Sequence, residues 1–283
     1  MVFQTHKELS TKIESLKNEN LKIGFVPTMG ALHDGHISLM QEAMKSNDIL
    51  VVSIFVNPTQ FDNASDLSQY PRTVKNDTNL IYNHFGKANV MIYTPNVEDI
   101  YGNNAVAKSY KYDGLEQVME GANRPGHFDG VGTILEFLFQ KVRPDHAYFG
   151  EKDFQQLQIV KKLVKNQHLP VKIIGCPIKR EPHGLAMSSR NERLSPQARE
   201  EAVFIIQSLE KANAYFKNHS INDTVAMVQK LYAKNKNLEL EYFTIASEET
   251  LIPVKRKYNK HTYRAFIVAH LEGVRLIDNM RLS

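Results

Sequence analysis

The chain has 283 residues, 42% hydrophobic and 23% charged, with 35 Lys and Arg against 31 Asp and Glu for a formal charge of +4. That composition suits a globular protein of one large or two modest domains, and a charge this small does not argue for a nucleic-acid partner. The single cysteine, Cys176, excludes an internal disulfide; with no apolar leader, no run of 18 apolar residues and no Cys/His metal spacing, a reducing, cytoplasmic setting without a membrane partner is expected.

In chain order, Thr5-His-Lys-Glu8 reads as a capping box that opens a helix with Leu9, Ile13 and Leu16 on one face. Strand-like runs follow at Ile23 to Pro27, Ile49 to Val56, Ala88 to Tyr93, His146 to Phe149 and Val171 to Cys176. Helix-like runs near 37–46, 73–85, 130–141 and 153–167 separate them. Runs such as Ile49–Val56 are apolar on both faces, as strands buried between two helical layers are, so a doubly wound parallel α/β sheet over 1–177 is predicted. Cys176, inside an apolar run, reads as a buried thiol rather than a nucleophile. Beyond 177 the pattern changes. Ser195-Pro196 predicts a helix start running to about Lys217, and Asn222 a cap for a helix through Ala233. Leu238–Ala246, Thr262–Leu271 and Val274–Ile277 read as strands, the last two joined by a hairpin at Glu272-Gly273. A smaller α+β domain over 178–283, covering the active site, is the expectation. The basic stretch from Pro253 to Lys260 reads as a solvated hairpin.

The chemistry-bearing segments all fall just after predicted strands, where such sheets bind ligands. Met29-Gly30-Ala31-Leu32-His33-Asp34-Gly35-His36 lies between a strand and a helix. A helix N-terminus there would aim free backbone N–H groups at an anion, and two histidines three apart could both donate to one phosphate. A solvated pair of turn histidines is the competing reading. Asn57 and Gln60 end the next strand with neutral amides, which can hold a carboxylate nucleophile without quenching its charge; a turn-forming role competes. In Gly150-Glu151-Lys152-Asp153, followed by Gln156, the lysine can reach a phosphate, the aspartate can accept from ribose hydroxyls, and Gln156 is expected one helical turn after Lys152 on the same face. Met187-Ser188-Ser189-Arg190 offers hydroxyls and a guanidinium from a loop that could fold over a triphosphate or serve only as an interdomain linker. The glycine-rich loop around Arg124 and His127 resembles an anion-binding or lid element. The set lacks a Ser-His-Asp triad, a thiol nucleophile or paired carboxylates; it suits attack of an acid on the α-phosphate of ATP.

GFVPTMGALHDGH (24–36), VVSIFVNPTQF (51–61), YPRT (70–73), EGANRPGHFDGV (120–131), YFGEKDFQQL (148–157) and GLAMSSRN (184–191) together resemble the pantoate-beta-alanine ligase (pantothenate synthetase) family of HxGH nucleotidyltransferases, in order over nearly the whole chain. The resemblance implies a Rossmann-like nucleotidyltransferase domain with a smaller C-terminal domain, a homodimer, and a two-step reaction that needs Mg2+. ATP and pantoate would form pantoyl adenylate and pyrophosphate; beta-alanine would then displace AMP to give pantothenate. It implies that Met29 to His36 line the ATP site, with His33 and His36 on the phosphates and His36 as the family's proton donor. Expulsion of AMP by a neutral amine asks instead for charge stabilisation by His36. By the same resemblance Gly150, Glu151, Lys152 and Asp153 bind the nucleotide, Lys179 meets adenine through its backbone, and Met187, Ser188, Ser189 and Arg190 cover the phosphates. Gln60 and Gln156 hold pantoate, with Asn57 beside them and Arg124 in the substrate pocket. His183 and Lys179 depart from the family pattern, which expects an acidic and an apolar residue there. The rival readings are another HxGH nucleotidyltransferase, a truncated aminoacyl-tRNA synthetase and a non-catalytic nucleic-acid binder. A lysine-rich loop, an anticodon-binding extension or a concentrated basic face would mark the last two, and the sequence has none of these.

Overall fold

Runs that are apolar on both faces become the centre of a parallel sheet. The computed structural model describes residues 1–258 and 260–283. Its strands are β1 (Val2–Phe3), β2 (Ile23–Thr28), β3 (Ile49–Ile54), β4 (Val90–Tyr93), β5 (His146–Gly150) and β6 (Lys172–Cys176), in sheet order β1-β4-β3-β2-β5-β6, every pair parallel. All six residues of β3 are buried, as a strand covered on both faces must be. On one face Val26, Leu50, Val52 and Ile54 form a core with Ile37, Met40 and Ala43 of the helix Asp34–Met44 and Ile81 of the helix Val74–Phe85. On the other, Phe25 meets Phe139 of the helix His127–Val142 edge to face, ring centroids 6.2 Å apart. The chain builds outward from β2 through β3 to β4, then returns to lay β5 on the opposite side of β2. That reversal is the topological switch point, so the segments leaving β2 at Thr28 and β5 at Gly150 begin where ligands bind in such sheets.

The chain divides into two compact units, Met1–Glu151 with Gln155–Pro177, and Lys152–Phe154 with Ile178–Ser283. In the second, an antiparallel sheet of β7 (Glu239–Ser247), β8 (Tyr263–Leu271) and β9 (Val274–Leu282) runs in the order β7-β8-β9. Ala265, Ile267, Ala269 and Leu271 of β8 share a core with Leu209, Ala212 and Val228 from the helices Phe204–Phe216 and Ile221–Tyr232. Glu272 and Gly273, both at positive φ, make the hairpin the sequence signals.

Several boundaries differ from expectation, each for a local reason. The edge strand β1 is only two residues long and leaves no periodic signal. Cap residues start helices early: His33 moves the second helix to Asp34, and Ser220 rather than Asn222 caps the helix Ile221–Tyr232 by accepting from Asp223 N–H. The predicted helix from Ser195 to Lys217 is two helices, Pro196–Glu201 and Phe204–Phe216. β9 runs on to Leu282 because Asp278 and Asn279, which broke the apolar pattern, are buried and hydrogen-bonded. In the basic stretch Pro253 bridges to Ala246, and Asn259 lies outside the described residues.

Candidate active site

The segment leaving β2 is tied down atom by atom. Thr28 Oγ1 donates to Ser53 O at 2.8 Å and accepts from Gly30 N–H at 3.3 Å. Gly30 at φ +86° and Ala31 at +49° turn the chain, and a Cβ on Gly30 would press on Asp77 Oδ2 at 3.1 Å and Ile54 at 3.2 Å. Asp77, only 2% exposed, accepts from Ala31 N–H (3.1 Å), Leu32 N–H (2.9 Å) and Thr73 Oγ1 (3.1 Å). The Leu32 side chain belongs to the core.

His33 is the N-cap of the helix Asp34–Met44, not its first turn. Its Nδ1 accepts from Gly35 N–H at 3.1 Å, and His36 Nδ1 accepts from His33 N–H at 3.3 Å, a capping box built of two imidazoles with centroids 4.2 Å apart. The expectation of free backbone N–H donors is therefore corrected: those of Gly30, Ala31, Leu32, His33, Gly35 and His36 each have an acceptor within the chain. An Nδ1 that accepts must be unprotonated, so each ring carries its proton on Nε2, a donor pointing away from the backbone it caps. Asp34, the first helical residue, is exposed.

After β3, Asn57 and Gln60 form a second assembly. Asn57 is 1% exposed; its Nδ2 donates to Gln60 Oε1 and Gly130 O, both at 3.1 Å, and its Oδ1 accepts from Tyr101 OH (2.6 Å) and Thr59 Oγ1 (3.1 Å). With donors and acceptor so committed, Asn57 orients Gln60. Gln60 Oε1 is turned to Asn57 and its Nε2 toward Met29 Sδ at 2.9 Å, which brings the amide to the start of the histidine loop. The Gln60 carbonyl is also held. It accepts from His127 Nδ1 at 2.7 Å and Arg124 Nη2 at 3.4 Å, while Arg124 Nη1 donates to His127 Nε2 at 3.2 Å and Nε to Asp62 at 3.2 Å. Burial, then the Arg124 charge, lowers the His127 pKa to about 4, so the ring is neutral with its proton on Nδ1. Arg124 is thus brought to Gln60, but to its backbone.

Gly150 and Glu151 leave β5, and Glu151–Asp153 is a 3₁₀ turn that precedes the helix Phe154–Asn166. Gln156 is half-buried and lies in the helix that follows the turn. Its neighbour Gln155 is the structural one, donating to Leu115 O and Val118 O at 2.8 Å each and accepting from Glu120 N–H at 3.0 Å.

In the second unit, Lys152 Nζ lies 3.4 Å from Asp153 Oδ1, and its carbonyl accepts from Asn279 Nδ2 at 2.8 Å. Lys179 is exposed and its carbonyl accepts from Met187 N–H at 3.0 Å, which brings these two predicted residues together. Ser188 Oγ caps a 3₁₀ turn, Ser189–Arg193, by accepting from Arg190 N–H at 3.3 Å; Ser189 is buried and Arg190 half-buried. Asn191 Nδ2 donates to Glu181 and Ala186 O, and His183 pairs with Glu181 at 3.1 Å.

Sequence reasoning missed Asp77, Tyr101 and Asn279, and did not assign His127 a partner. Asp77 had a signal: it stands four residues before Ile81, on the buried stripe of an amphipathic helix where periodicity asks for an apolar residue. Tyr101 and Asn279 depend on long-range contacts that no local pattern encodes.

A family model described as "Pantoate-beta-alanine ligase" matches residues 1–281. Among curated relatives, a "Pantothenate synthetase" of Christiangramia forsetii is 49% identical over 282 residues, covering 100% of this chain and 99% of its own length. One of Flavobacterium psychrophilum is 50% identical over 285 residues, covering 100% of both. Among solved structures, a pantothenate synthetase of Thermus thermophilus superposes with a TM-score of 0.88 at 34% identity, covering 99% of this chain and 98% of that one. A pantoate-beta-alanine ligase of Francisella tularensis, complexed with beta-gamma ATP and beta-alanine, has a TM-score of 0.77 at 33% identity, covering 99% and 97%.

Proposed function

The chain belongs to the pantoate-beta-alanine ligase family and makes pantothenate from pantoate, beta-alanine and ATP, and we propose that His33 and His36 bind the phosphates through their Nε2–H donors while Gln60 and Gln156 hold pantoate. The capping box of the two histidines carries this reading, since it fixes both protons on the outward nitrogens. A pantoate carboxylate oxygen attacks the α-phosphorus; the new P–O bond gives pantoyl adenylate as the bond to the bridging oxygen breaks and pyrophosphate leaves. The beta-alanine amine then attacks the acyl carbon, the bond to AMP breaks, and the nitrogen loses its proton to solvent.

Gln60 suits its part because Asn57 occupies its carbonyl oxygen. It presents the second N–H of Nε2 to the acid and adds no positive charge that would hold the nucleophile in its ground state. In this proposal Met29 to His36, Gly150 to Asp153, Lys179 and Met187 to Arg190 form the ATP site. Residues 1–177 supply the pantoate and nucleotide domain, and 178–283 the smaller domain. Lys152 and Arg190 stabilise charge on the leaving pyrophosphate, and Asp153 accepts from the ribose. The histidine loop's one carboxylate, Asp34, is exposed, and a Mg2+ arriving on the triphosphate would be held mainly through the phosphate oxygens. Bound there, Mg2+ would supply charge neutralisation of the triphosphate.

A homodimer and a cytoplasmic setting belong to the same proposal. The homodimer rests on the family resemblance and the cytoplasmic setting on the single cysteine, Cys176, whose thiol burial pushes up to about 11, which suits a thiol kept reduced. No helix among the described residues is long and apolar enough to cross a membrane. The test of the site is exchange of labelled pyrophosphate into ATP. Exchange is expected to require pantoate and to fall about 10²-fold or more in His36→Ala and Lys152→Ala. Near-full exchange in both variants, correctly folded, would overturn the assignments.

A further inference from the structure

Lys152 follows β5 in sequence, yet the contacts that fix its main chain come from the C-terminal sheet. Asn279 on the edge strand β9, 2% exposed, donates from Nδ2 to the Lys152 carbonyl at 2.8 Å and accepts at Oδ1 from Arg264 Nη1 at 2.6 Å. Arg264 on β8 is itself held by Glu248, with Nε at 3.0 Å and Nη2 at 2.6 Å from one carboxylate oxygen. The Arg264 guanidinium lies 3.8 Å above the Phe154 ring, and Phe154 is 6.2 Å from Phe266 between centroids. Register explains the convergence: Asn279 stands opposite Phe266, with Arg264 two residues along, so all three project from one face of the sheet. The turn Lys152–Phe154 is thereby gripped at both ends, its first carbonyl by an amide and its last ring by a guanidinium.

The preceding residue of β9 holds the other predicted phosphate element. Asp278 takes a bidentate pair from Arg180 (2.7 and 3.0 Å), and Arg180 also donates to Gly184 O at 3.1 Å, at the base of the loop that carries Ser188 to Arg190. Adjacent residues of one strand thus anchor two elements assigned to the phosphates.

We propose that Asn279 is a positioning residue for Lys152: it fixes the lysine's main chain on β9, so that the adenylation step depends on the C-terminal sheet. This rests on Lys152 acting on the phosphates. A lysine with four rotatable bonds delivers its charge to one point only if its backbone is fixed, and small misplacement of a charge-stabilising donor costs rate more than binding.

The test is pyrophosphate exchange in a cycle of variants. Asn279→Asp keeps the shape and the acceptor for Arg264 but loses the donor to Lys152 O. With Arg264 pairing the new carboxylate it should fold, at a cost in stability that urea unfolding reads, and should lower the exchange rate roughly 10-fold while shifting the KM for pantoate less than about twofold. Asn279→Ala should do the same or more. In a Lys152→Ala background the Asn279→Asp change should cost less than about twofold, because the group it positions is gone. Equal losses in both backgrounds, or no loss in the Asp variant, would overturn the proposal. If Lys152→Ala itself retains full exchange, the phosphate reading has failed, a result distinct from additivity.

Discussion

His33 and His36 hold each other in place: the ring of His36 accepts the backbone N–H of His33 at 3.3 Å, and the ring of His33 caps the helix that carries His36. One pair of side chains thus does two jobs, with Nδ1 closing the helix and Nε2 carrying the proton. The two jobs separate by substitution. Ser can cap a helix but has no second nitrogen, so His33→Ser should unfold within about 0.5 kcal/mol of the parent yet lose about 10²-fold in exchange rate. His33→Ala should lose the same activity and a further ~1 kcal/mol in urea unfolding. Equal stability for the two variants would show that the cap contributes nothing.

Asp77 acts on the same loop from behind. Replacing it by Ala strands the N–H groups of Ala31 and Leu32 and the hydroxyl of Thr73, all bonded to its carboxylate. Buried donors left unpaired cost roughly 1–3 kcal/mol each, so Asp77→Ala should lose about 3 kcal/mol or more in urea unfolding. Asp77→Asn keeps one acceptor but turns an amide N–H toward a donor, and should fall between Ala and the parent. In both, the KM for ATP should rise more than that for pantoate, since the disturbed loop is the one proposed to bind the phosphates; the reverse order would place Asp77 elsewhere in function.

The parallel sheet was legible because buried strands such as β3 read as unbroken apolar runs, and the histidine motif because it falls between such a strand and a helix. How the motif works was not legible. That the backbone N–H groups of Ala31 and Leu32 go to Asp77, 46 and 45 residues away, is a tertiary fact. That Asn57, buried under Tyr101 and Gly130, also supports Gln60 was not legible either. β9 was cut short at Ile277 for the same reason. Polar residues that satisfy one another inside a fold look, in sequence, like the end of a strand.

Gly130 tests the Gln60 assembly without removing a polar group. A Cβ there would fall 2.2 Å from Thr59 O and 2.6 Å from Gln60 N, both backbone atoms that cannot swing aside. Gly130→Ala should therefore push the 57–61 segment off the helix His127–Val142. The KM for pantoate should increase roughly 10-fold, with a smaller change for ATP, and stability should drop by about 1–3 kcal/mol. An unchanged pantoate KM would detach Gln60 from acid recognition.

His127 gives the assembly a pH dependence with a definite sign. Its folded pKa of about 4 lies below the ordinary 6.5, so between those values the unfolded chain holds the proton and the folded chain does not. Stability from this group is therefore complete above about pH 6.5, declines as pH falls, and is exhausted near pH 4; the full span is worth about 3 kcal/mol. Carboxylates titrate in the same range, so the informative quantity is a difference. Asn at 127 can place its amide N–H where Nδ1 was and does not titrate. His127→Asn should thus be less stable than the parent at pH 7.5, and the gap should narrow steadily toward pH 4.5. A gap that stays constant with pH would mean that His127 titrates normally, and hence that its ring is not locked between the Gln60 carbonyl and the Arg124 guanidinium.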